Sequence, residues 1–152
     1  MTKYSEIKKF AEEIQKQWER EWKNVDNIES LPNGAGIYRL VSNQAISIPE
    51  SYKVCGRDDA VISGELPKDT TLSVGKTKRL KTRIKQHFGD NKHNNRLKKR
   101  LESIKIGCET FCPTNPIFSL QYREIENWWE RDMLEAYGKA ICGAFFDLEV
   151  EH

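Results

Sequence analysis

Residues 72–88 read LSVGKTKRLKTRIKQHF. Thr70-Thr-Leu-Ser-Val74 has the composition of a strand, and Gly75 closes it and lets the backbone turn tightly. From Lys78 to Phe88 the residues predict a basic helix with Leu80 and Ile84 on its buried stripe. Arg83 and His87 are four apart, so they share one face of that helix. The stretch is therefore a strand, a tight turn and a helix that presents a guanidinium and an imidazole side by side.

Outward from this unit the chain alternates short strands with helices. On the N-terminal side, residues 5–25 carry Ile7, Phe10, Ala11, Ile14, Trp18, Trp22 and Val25 at three- and four-residue spacing, which predicts an amphipathic helix. Ser30-Leu-Pro-Asn-Gly34 is a turn, and Gly36-Ile-Tyr-Arg-Leu-Val41 a strand. Residues 42–69 hold Pro49, Gly56, Gly64 and Pro67 and read as an irregular inserted connection, with a small hairpin near Val61-Ile62. On the C-terminal side, Asn94 or Asn95 can cap a helix with Leu97, Leu101 and Ile104 inward. Cys108–Pro116 is loop, and Phe118–Ile125 alternates as a strand. Asn127 with Glu130 resembles a capping box for a helix that Gly143 stops. The order helix–β–β–helix–helix–β–helix predicts one α+β domain, residues 31–152, behind an N-terminal helical extension, residues 1–30.

With 152 residues, 38% hydrophobic and 32% charged, the chain suits one domain. No apolar run approaches a membrane span, so no membrane partner is expected. The amino terminus lacks the apolar stretch of a secretion signal. Cys108-x-x-x-Cys112 invites a zinc reading, but neither Cys55, Cys142 nor the histidines stand at a paired spacing to complete four ligands, so reduced thiols and a cytoplasmic location are expected. The net charge of +2 conceals an uneven distribution. Residues 76–105 carry twelve Lys/Arg against Asp90 and Glu102, a balance of +10, whereas residues 120–152 sum to −5. The basic block is a candidate polyanion surface. The acidic end either neutralises it within the fold or supplies carboxylates to a divalent cation.

Gly36-Ile-Tyr38, the block from Leu72 to Phe88, and Leu134-Glu135 followed by Asp147 form an ordered constellation. Across residues 34–148 it resembles the GIY-YIG nuclease family. The first half-motif is literal at 36–38, and the second reads Ser73-Val74-Gly75 where the family has a tyrosine, an aliphatic residue and glycine. The family's arginine corresponds to Arg83, its histidine or tyrosine to His87, its glutamate to Glu135 and its asparagine to Asp147. Two residues depart from the pattern, Ser73 and Asp147; the 42–69 connection is longer than the family's.

The resemblance implies a small three-stranded sheet flanked by helices and an endonuclease acting on DNA with Mg²⁺ or Mn²⁺. Glu135 would hold the cation, Arg83 would donate to the phosphate, and Tyr38 would act as base with His87 orienting it or sharing its proton. A tyrosine ionises near pH ~10, so a cation, Lys76 or the metal, would have to favour its phenolate. Ser73, Gly75, Lys78, Arg79 and Asp147 would contact substrate. Without such activity the same basic surface would serve a nucleic-acid-binding module or bind an acidic protein partner.

Overall fold

The computed structural model of the chain describes residues 2–49, 64–89, 95–106 and 115–150. Helix α1 (Lys3–Trp18) precedes strand β1 (Lys23–Asn24), a 3₁₀ turn at Ile28–Ser30, and strand β2 (Gly36–Ser42). Strands β3 (Ile46–Ser47) and β4 (Glu65–Leu66) pair across the inserted connection, and β5 (Thr71–Thr77) follows. Helices α2 (Leu80–Phe88) and α3 (Arg96–Ser103) lead to β6 (Phe118–Glu124), helix α4 (Trp128–Ala140) and a closing 3₁₀ segment, Phe145–Val150. The expected α+β class holds. The expected hairpin at Val61-Ile62 and the thiols Cys55, Cys108 and Cys112 lie outside the described residues.

The main sheet is antiparallel with order β1-β6-β2-β5. This corrects the three-stranded expectation: the two residues of β1 extend the β6 edge, a pairing too short to leave a periodic signal in sequence. Alternation along β2 divides the core. Tyr38 and Leu40 join Leu80, Ile84, Phe88, Leu97 and Leu101 on one face, under α2 and α3. Ile37 joins Val74, Trp18 and Leu134 on the other, under α1 and α4. The central strand thus carries side chains to both layers, and Tyr38 belongs to the α2–α3 side.

Helix α1 ends seven residues earlier than its apolar spacing implies. Gln17 and Trp18 present carbonyls that accept from Arg123 Nη1, and Trp22 Nε1 donates to Trp18 O at 2.8 Å. Those side chains take the acceptors that a further helical turn would use. Arg39 stacks on Trp22, 4.2 Å from its ring centroid, tying this corner to the sheet. Only the C-terminal half of the helix docks: Ile14 and Trp18 pack on the sheet and α4, but Tyr4, Ile7 and Phe10 stay exposed. Trp128 and Trp129 are both exposed: the first turn of α4 lies beside that undocked half, with Trp129 at 6.3 Å from Phe10. Asn127 Oδ1 accepts from the Trp129 N–H and starts α4; Gly143, at φ 62°, turns the chain away after it.

Candidate active site

Strand β5 lies at the open edge of the sheet, so alternate N–H groups point away from β2. Two late-chain carboxylates meet them. Asp147 Oδ2 accepts from Val74 N–H at 2.9 Å, and Glu135 Oε2 accepts from Lys76 N–H at 3.0 Å. These bonds bring residues about sixty and seventy positions downstream of β5 onto its rim. They also satisfy an edge that would otherwise offer itself to another strand.

Above this rim opens a cleft of about 140 Å³. Tyr38, Arg83, His87 and Glu135 all line it, as do Ser73, Gly75, Lys76 and Asp147. Four separate elements therefore converge: β2 supplies the phenol, β5 the floor, α2 the guanidinium and imidazole, and α4 the carboxylate. Lys78 and Arg79 do not line it. They sit exposed in the β5–α2 turn, where Thr77 Oγ1 accepts from the Arg79 N–H. A larger hollow of about 460 Å³ lies beside Ile46, Ile104 and Ile106, but Lys105 is the one ionisable group among the described residues lining it.

The register places Tyr38 opposite Gly75, and the phenol lies directly over that glycine. A Cβ at position 75 would overlap the Tyr38 ring, so the glycine is required by close approach of a side chain. Tyr38 Oη is 2.7 Å from His87 Nε2, with both residues buried. Burial raises the Tyr38 ionisation, against which the neighbouring Arg83 guanidinium pulls. The cation beside the phenol is thus Arg83; the Lys76 ammonium turns instead to Asp132, at 2.5 Å, which raises its own ionisation. Burial, followed by the charges of Arg83, Arg96 and Arg100, lowers His87 to about 3. The imidazole is neutral at ordinary pH, and its Nδ1 is buried with no hydrogen-bond partner among the described residues.

Asp147 is fully engaged. Beyond Val74 N–H it accepts from Arg100 Nη1 at 2.9 Å and from the buried Ser73 hydroxyl at 3.4 Å. Its negative charge, the departure noted in the sequence, faces a guanidinium from α3. Glu135 is less committed: besides Lys76 N–H it has only Lys139 Nζ at 3.7 Å among the described contacts. Among the described residues no three His, Cys, Asp or Glu side chains cluster as a metal cage. Glu135, half-buried and with spare lone pairs, would instead suit Mg²⁺, which takes one or two carboxylates and completes its shell with phosphate oxygens and water.

Arg96 and Arg100, read from sequence only as part of the basic block of residues 76–105, both line the cleft. Their spacing of four residues was the available signal, the same one that paired Arg83 with His87. Lys139 also lines it, and its place four residues after Glu135 is the same signal. No family model, curated protein or solved structure matches this chain.

Proposed function

We propose that the chain is a GIY-YIG-type endonuclease that hydrolyses DNA phosphodiester bonds with Mg²⁺ or Mn²⁺. The convergence of Tyr38, His87, Arg83 and Glu135 in one cleft carries this reading. The Tyr38–His87 bond supplies a proton path. As the phenol takes a proton from the attacking water, it gives its own to the neutral Nε2 of His87. The water oxygen bonds to phosphorus while the P–O bond to the leaving sugar breaks. Arg83 donates to the phosphate oxygens as their charge grows, and an arriving phosphate offsets the guanidiniums that, after burial, disfavour a charged His87. Glu135 would hold the divalent cation, whose chemistry is to neutralise charge on the phosphate and the leaving oxygen. The paired Asp147–Arg100 unit leaves no net charge at the position where the family has an amide.

Supercoiled plasmid with Mg²⁺ or Mn²⁺ provides the test. Tyr38→Phe and Glu135→Gln are each expected to lower cleavage by a factor of roughly 10²–10⁴ and leave DNA binding in place. Glutamine keeps the carbonyl acceptor for Lys76 N–H, so Glu135→Gln removes charge without freeing the β5 edge. Absence of cutting with any divalent ion, with DNA still shifted in a gel, would make the chain a binding module. Loss of all DNA affinity at low salt would point to an acidic protein partner.

A further inference from the structure

The chemistry above uses one guanidinium, and the cleft contains three. Arg96 and Arg100 stand one turn apart on α3 and line the same space as Arg83. Among the described residues the lining charges are Arg83, Arg96, Arg100, Lys76 and Lys139 against Glu135 and Asp147, with Asp132 facing Lys76, an excess of cations that a single phosphate does not balance.

Arg100 is no loose surface cation. Its side chain is 14% exposed and its Asp147 partner 7%. Asp147 is itself fixed to the β5 backbone through Val74 N–H. The sheet edge thereby sets where a guanidinium of α3 stands. A guanidinium has five N–H donors in a rigid fork, more than one carboxylate oxygen can use. An ordinary solvated basic face would need no such buried counter-ion.

We propose that Arg96 and Arg100 form a second phosphate station, which takes the phosphate next to the one held at Arg83, with Asp147 as the positioning residue for Arg100. This rests on the nuclease reading only in taking a sugar–phosphate strand as the ligand. It specifies the substrate class: a strand with at least two consecutive phosphodiesters, so that cleavage falls at internal linkages.

Short oligonucleotides avoid any ambiguity of register. Binding of TpT, with one phosphate, and TpTpT, with two, is measured by NMR titration in EDTA, where no cutting occurs. The wild-type chain is expected to bind TpTpT about tenfold more tightly, and a methylphosphonate at either linkage should abolish that gain. In Arg96→Gln/Arg100→Gln the gain of TpTpT over TpT should fall to about twofold. Asp147→Asn should lower the TpTpT-to-TpT ratio in the same way, an outcome that general loss of structure would not produce. Because Arg100→Gln strips a buried carboxylate of its partner, the exposed Arg96→Gln alone, with circular dichroism as the folding check, must move in the same direction.

An equal gain in wild type and the double variant, or no gain in wild type, would overturn the second station. The two readings fail separately. A plasmid left uncut while the TpTpT gain persists removes the nuclease reading alone. A plasmid that is cut by a protein showing no gain removes the second station alone.

Discussion

Tyr38 and His87 are a pair that neither residue explains by itself. The phenol is buried over Gly75, where no side chain competes with it, and its hydroxyl meets an imidazole that burial keeps neutral. That neutrality links stability to pH. The His87 value in the folded chain, about 3, lies below the ordinary 6.5. Above that ordinary value neither folded nor unfolded chain holds the proton. As pH falls below it, the unfolded chain takes one up first, and stability is lost progressively until about pH 3. Urea unfolding should therefore show wild type losing on the order of 2 kcal/mol more than His87→Gln between roughly pH 7 and pH 5. Both half-motifs of this site were readable as residues, including the histidine four positions after the arginine. The loss of basicity was not, because it comes from the atoms that surround the ring.

Strand β5 and helix α3 show how elements divide the work. The β5 edge is pinned by Glu135 and Asp147, two acids that sequence reasoning assigned to chemistry and substrate. The strand was readable from Thr70-Thr-Leu-Ser-Val74, but its place at the sheet edge follows from pairing with β2 alone among the described strands. Helix α3 is short and strongly basic, so its position depends on Leu97 and Leu101, which are essentially inaccessible in the core. Leu101→Ala is expected to cost about 2–5 kcal/mol in urea or thermal unfolding. The apolar stripe of α1 was equally legible, yet half of it remains exposed. Periodicity reports which face is apolar, and only neighbouring elements determine how much of it is covered.

Charge is a property of the whole molecule. The basic block and the acidic end interleave: Lys76 faces Asp132, Arg100 faces Asp147, and Lys81 and Lys85 face Glu29 from the far N-terminal side. Part of the local +10 is thus balanced internally, and what remains near the cleft is directed by the fold. For DNA affinity against salt concentration, Arg96→Gln should flatten the logarithmic slope by about one. Lys85→Gln should change it less, because its ammonium already lies 2.7 Å from Glu29. Among the described residues no helix is long and apolar enough to cross a membrane.

By itself, the sequence determined the α+β class, most of the long elements and the identity of many of the residues that share the cleft. Those follow from local periodicity, turn chemistry and motif spacing, all of which act over a few residues along the chain. Only the tertiary structure decided that His87 is neutral, that Arg83 is the cation beside Tyr38, that Asp147 is charge-paired, and that Arg96 and Arg100 enter the site. Ionisation and pairing depend on burial and on distances between side chains up to about a hundred positions apart, and those distances exist only after the sheet has formed.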